Sequence, residues 1–170
     1  TKMLFRMRYR PFANFTGQIS ECYMNLGAFG TMAMFVEDVL GLGIRYAAMP
    51  MRQMYIRQSA HGIVDYTHRK FSLDVRQAIQ KFGEQNLPEK ITKWKETDPF
   101  HEFEFIHCVK PYSEYKKGAY GPRGMQYYSA YVVPECCEIV VEGGFRTFPY
   151  AFGRYLTSAG ETYGRSPAMM

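Results

Sequence analysis

A chain of 170 residues, 46% hydrophobic and 22% charged with a net charge of +5, makes one domain or two very small ones and can bury about 70% of its unfolded surface without disulfides or metal. It is too apolar to be disordered, and Gly plus Pro at about 14% excludes a collagen-like or low-complexity chain. No stretch approaches the roughly 18 uninterrupted apolar residues of a membrane span and no apolar run follows the basic start, so secretion and membrane insertion are disfavoured.

In chain order, Lys2, Arg6, Arg8 and Arg10 load the first ten residues with charge. They read as a solvated strand or arm, with polyanion contact as the functional alternative. Thr16 to Phe29 places Ile19, Tyr23, Leu26 and Ala28 at helical spacing, with Thr16 or Ser20 as cap and Gly27 or Gly30 as stop. Residues 31–38 (TMAMFVED) and 44–49 (IRYAAM) then read as strands joined by a glycine turn. Residues 53–58 and 63–71 flank a second turn, so a meander is expected. Helical period returns at Val75, Ala78, Ile79 and Phe82, with Ser72 as N-cap and Gly83 as stop. A second short helix follows from Pro88 to Thr97. Strands are expected again at 103–109, 126–133 and 138–142, around a Lys/Gly/Tyr/Pro loop at 113–124. Residues 145–155 are extended and aromatic, and Pro149 confines them to an edge or to a non-strand. The expected class is α+β: antiparallel strands with a few short helices, in one segment covering 1–170.

The end of the chain is the most specific local feature. Residues 161–167 (ETYGRSP) put Ser166 at an N-cap position and Pro167 at the first helical position, and the sequence stops three residues later. A helix needs far more residues than that, so the expectation is a piece of a longer polypeptide, with 161–170 opening its next helix. Ser166 is expected to accept a hydrogen bond from a backbone N–H two or three residues on. Gly164 is expected to permit a backbone conformation that a Cβ would resist. Arg165 reads as solvated, with a carboxylate partner as the alternative.

Catalytic and metal constellations are sought without success. The glycine pairs lack the Lys-Ser/Thr of a phosphate loop, and no G-x-S-x-G elbow occurs. His101 and His107 lie about 20 Å apart at strand rise, too far to share a metal, and read as polar positions on a half-exposed strand. His61 and His68 read as turn and strand-edge residues. Cys136 and Cys137 are adjacent while Cys22 and Cys108 are isolated, a pattern of free, mostly buried thiols in a reducing compartment and not of zinc. The methionines Met32, Met34, Met49, Met51 and Met54 read as core filler. The tyrosines Tyr112, Tyr115, Tyr120, Tyr127, Tyr128 and Tyr131, with Lys110, Lys116, Lys117 and Arg123, fit two accounts. They can stack bases over a basic groove, or they can form a subunit interface, where Tyr and Arg are enriched and Lys is not. No enzymatic activity, cofactor or metal is expected.

Residues 145–151 (FRTFPYA) followed by 160–169 (GETYGRSPAM) resemble the head-to-tail connector, or portal, proteins of short-tailed bacteriophages. Residues 29–34, 40–45, 78–83, 86–90 and 132–135 resemble the same family in the same order, so the likeness covers almost the whole chain. It implies an internal, α+β wing segment of a structural virion protein that forms a ring, usually dodecameric, at one capsid vertex, assembled in the host cytoplasm. Through that ring double-stranded DNA is packaged and ejected. It also implies partners in other portal subunits, the capsid protein, a tail adaptor and the terminase, with no membrane. Signature residues on this reading are Arg146, Pro149, Tyr163, Gly164, Arg165, Ser166 and Pro167, with the 161–167 element a hinge between the wing and the next helix. Lys2, Arg6, Arg8, Arg10, Tyr115, Lys116, Lys117 and Arg123 are candidate subunit or DNA contacts. The competing function is a basic, Tyr-rich nucleic-acid-binding module.

Overall fold

The computed structural model describes residues 2–169 and resolves into two compact units. One, the split unit, comprises the residues up to Val64 and those from Phe148 onward; the other, the inserted unit, is Asp65–Thr147. The fold is α+β with antiparallel sheets.

The split unit opens with helix α1, Lys2–Arg8, where a strand or arm was expected. Its Lys, Met, Leu and Arg residues are good helix formers, and Arg10-Pro11 takes the chain out of the helix. Helix α2, Phe15–Phe29, follows. Neither expected cap is used: Asn14 holds the N-cap position, and the Ser20 hydroxyl donates back to the Thr16 carbonyl at 2.9 Å. Gly30, at φ +71°, ends the helix by donating its N–H to the Leu26 carbonyl.

Strands β1 (Thr31–Val39) and β2 (Gly43–Met49) form a hairpin in which Val36 faces Tyr46. The other side of β1 pairs with β8 (Tyr150–Arg154), Phe35 facing Tyr150. The first strands therefore do not form one continuous meander, because a late segment fills the place beside β1. Pro149 immediately precedes β8, which is an edge strand as its proline required. Helix α2 packs on β1 and β2 and buries Cys22. Its Gln18 carboxamide oxygen accepts from the Ala48 N–H on the outer edge of β2 at 2.6 Å. Met34 and Met49 lie in the core, as does Met54 at the start of β3 (Met54–Gln58).

In the inserted unit, β4 (Val64–Asp74), β5 (Glu102–Pro111), β6 (Tyr127–Val133) and β7 (Glu138–Phe145) run antiparallel in that order. Pairing of β4 with β5 continues through Ser72 to Asp74. Ser72 is consequently a strand residue and not the N-cap of helix α3 (Val75–Phe82). Asp74 takes that role: its carboxylate accepts from the Gln77 N–H at 2.7 Å and the Gln77 side chain reciprocates. The second expected helix is two turns, α4 (Glu89–Thr92) and α5 (Trp94–Thr97). The linking Lys93 keeps helical dihedrals, φ −60° and ψ −27°. One stripe of α3, Val75, Ala78 and Phe82, covers Phe71, Phe103, Phe105 and Val133 on the sheet to make the core.

Candidate functional site

The signature residues of 161–167 come together in the split unit as a clamp on backbone. The Tyr163 hydroxyl donates to the Met54 carbonyl and accepts from the Ile56 N–H, both at 3.2 Å, so one side chain satisfies two main-chain groups of β3. Gln58 at the end of β3 answers by donating to the Glu161 and Thr162 carbonyls at 3.1 and 3.2 Å. Arg154, the last residue of β8, donates to the Gly62 and Thr162 carbonyls. The Gly164 N–H donates to the Thr31 hydroxyl at 2.8 Å. A long irregular segment thus leaves few of its polar groups unpaired.

Gly164 serves by closeness rather than by conformation. Its φ is not positive, but a Cβ there would land on the Gly30 carbonyl oxygen and against Arg154. Gly30 needs glycine twice over, since its φ is positive and a Cβ would strike the backbone of 164–166. Arg165 is not simply solvated. Its guanidinium forks onto the Glu161 carboxylate with contacts of 2.6 and 3.0 Å and holds that carboxyl below its ordinary range. Ser166 does not make the expected cap. It is fully buried, its hydroxyl has no hydrogen-bond partner among the described residues, and the Met169 N–H bonds the Ser166 carbonyl instead. Pro167–Met169 forms a single 3-10 turn packed on α2. Pro149 contributes through its carbonyl, which accepts from the Val36 N–H at 2.9 Å.

Arg146 belongs to the inserted unit and not with the clamp. It lines a concave pocket of about 420 Å³ with Tyr115, Tyr120, Gln126 and the backbone of Gly118, Ala119 and Gly124. The surrounding loop is a chain of turns. The Lys116 N–H donates to the Arg123 carbonyl at 2.8 Å, Ala119 to Lys116 and Gly124 to Gly121, and Gly118 and Gly121 have φ of +84° and +75°. Arg123 pairs with Glu114 at 3.6 Å. The amino-terminal cations sit in the split unit, on α1 and just past it; Arg8 lies over the Phe15 ring at 4.9 Å.

His107 is buried, not half-exposed. It stacks on Tyr131 at 4.1 Å and its Nε2 meets the Ser129 hydroxyl at 3.0 Å. Burial, with Lys81 and Arg69 nearby, brings its pKa down to about 3. His101 stacks on Trp94 at 4.2 Å instead. His68 Nε2 lies 3.1 Å from the Cys108 thiol, a pair across β4 and β5. Of the four thiols only Cys22 is buried; Cys108 and Cys136 are half-buried and Cys137 is exposed. Among the described residues no three His, Cys, Asp or Glu side chains cluster as metal ligands, and no helix is long and apolar enough to cross a membrane.

The family model described as bacteriophage head to tail connecting protein matches residues 12–170, and the chain belongs to that family. It is 29% identical over 162 residues to the portal protein of Salmonella phage epsilon15, covering 93% of this chain and 29% of that protein. It is 25% identical over 154 residues to the probable portal protein of Bordetella phage BPP-1, covering 89% of this chain and 28% of that one. The chain thus spans less than a third of the length of these relatives.

Proposed function

We propose that this chain is a structural wing segment of a phage portal, working without catalysis in a ring of identical subunits at one vertex of the virion. The match over residues 12–170 to the head-to-tail connector family carries the reading. The clamp supports it, because the Tyr163 hydroxyl and the Arg154 guanidinium bond main-chain carbonyls and the Gly164 N–H bonds the Thr31 hydroxyl, all within the split unit itself. In the assembled particle the ring is a dodecamer that meets the capsid protein, a tail adaptor and the terminase, and double-stranded DNA is packaged and ejected through its channel. Assembly takes place in the host cytoplasm. Pro167–Met169 opens the helix that leads toward the stem, and Tyr163, Gly164 and Ser166 anchor it to the wing.

Electron micrographs of the full-length protein test the assembly. Rings with a central channel are expected; monodisperse monomers at micromolar concentration overturn the reading. The basic, Tyr-rich module remains a second reading on one observation, the pocket that joins Arg146 to the loop.

A further inference from the structure

Arg146 and the loop at 112–126 lie 20 or more residues apart in the sequence, and the fold brings them to one pocket. Glu114 is the only carboxylate of that loop, and it is engaged by Arg123. Arg146, which lines a concavity large enough for a sugar-phosphate unit, and Lys116 and Lys117 on the loop that forms it make no ion pair among the described residues.

We propose that this pocket is a site for the phosphate backbone of double-stranded nucleic acid, with Arg146 as its central cation and Lys116 and Lys117 flanking it. The residues that line it include kinds whose side chains contact phosphate: Arg146, Tyr115, Tyr120 and Gln126. The turns that shape it are fixed by their own hydrogen bonds, so little ordering cost falls on binding. Lys116 and Lys117, which lie in the chain between the lining residues Tyr115 and Gly118, favour phosphate over a protein partner, because protein interfaces are depleted in Lys. Duplex is favoured over single strand because a stacking platform needs successive free rings. Here Tyr112 and Tyr128, which would extend it from Tyr115 and Tyr120, stack on each other at 5.7 Å. Recognition at such a site is independent of base sequence and strongly dependent on salt.

The test measures anisotropy of a fluorescent duplex of about 20 base pairs with the full-length protein across a salt series. Arg146→Gln is expected to weaken binding about tenfold and to lower the slope of log affinity against log salt by about one, and Lys116→Gln with Lys117→Gln to lower it by about two. Arg146→Lys should retain most of the affinity, which separates charge from an effect on folding. Four results overturn the proposal: unchanged binding in Arg146→Gln; preference for single strand, lost in Tyr120→Ala; displacement of the duplex by polyglutamate as readily as by unlabelled DNA; or loss confined to Arg6→Gln and Arg10→Gln. Micrographs of the same variants are read separately, so intact rings that bind no duplex refute this site and leave the ring assembly standing.

Discussion

The two units hold themselves together by different means. The inserted unit is an ordinary layer structure, one helical stripe laid on one face of a sheet around Phe71, Phe103 and Phe105. The split unit has a thinner core, built from small residues and methionines such as Ala33, Met34, Met49 and Met54. Its chain ends are tied by hydrogen bonds from side chains to backbone at Tyr163, Gln58, Arg154 and Gly164. Apolar area gives stability in proportion to what is buried, whereas a hydrogen-bonded clamp adds only about 1 kcal/mol per bond but fixes geometry. The difference suits a unit whose two segments must meet in one register. It also predicts that the two will fail differently.

Phe103→Ala should be the most damaging change, about 3–5 kcal/mol, because a fully buried ring leaves a cavity that helix and sheet cannot close. Hydrogen exchange should show protection lost across Asp65–Thr147 and little altered in β1, β2 and β8; loss spread equally over both units would dissolve the comparison. Gly164→Val should cost about 3 kcal/mol through collision with the Gly30 carbonyl and Arg154, with exchange rising in the split unit instead. An unchanged melting temperature would remove the clamp from the account.

His107 sharpens the comparison through pH. Its folded pKa near 3 lies below the ordinary 6.5, so between those values the unfolded chain binds a proton that the folded one does not. Stability is full above about pH 6.5 and falls as pH drops from there toward 3, by about 1.4 kcal/mol per unit. The inserted unit should therefore lose about 2 kcal/mol between pH 7.5 and 5, and His107→Gln should flatten that dependence, as followed by urea midpoints at each pH. Tyr163→Phe should cost about 1–2 kcal/mol in the split unit by leaving the Met54 carbonyl and Ile56 N–H of β3 without their partner.

How much of this was legible depends on the range of the interaction. Periodicity placed α2, β1, β2 and α3 to within a residue or two, because an element with one buried face repeats at its own period. Caps were read less well: Ser72 looked like one, but pairing of β4 with β5 carried the strand on to Asp74, and a sheet ladder outweighs a local capping preference. A helix stop at Gly27 or Gly30 was legible, and Gly30 is the one used, whereas its contact with Gly164 was not, since nothing in sequence spacing reports that residues more than a hundred positions apart will touch. Pairing of β8 with β1 and the meeting of Arg146 with the 112–126 loop were hidden for the same reason. Ser166 and Pro167 stood out by their capping pattern and Arg146, Pro149 and Tyr163 by family resemblance, while the hydrogen bonds these segments make to backbone groups needed coordinates.

The smallest expected effect bears most directly on the clamp. Read as an N-cap, Ser166 would lose about 1 kcal/mol on replacement by alanine. In the folded chain its hydroxyl is instead fully buried and makes no hydrogen bond among the described residues, while the turn that follows is closed by the Ser166 carbonyl. Burying a hydroxyl without a partner costs free energy that a methyl group does not. Ser166→Ala removes that cost and leaves only the volume of one oxygen, and the Gly164 and Arg165 contacts just before it go through atoms the change does not touch. The expected outcome in thermal unfolding is a change within about 0.5 kcal/mol of zero, in the stabilising direction if any. A loss of 1 kcal/mol or more would show that the hydroxyl does hold a backbone N–H, and that Pro167–Met169 extends in the intact protein as a true helix capped at Ser166.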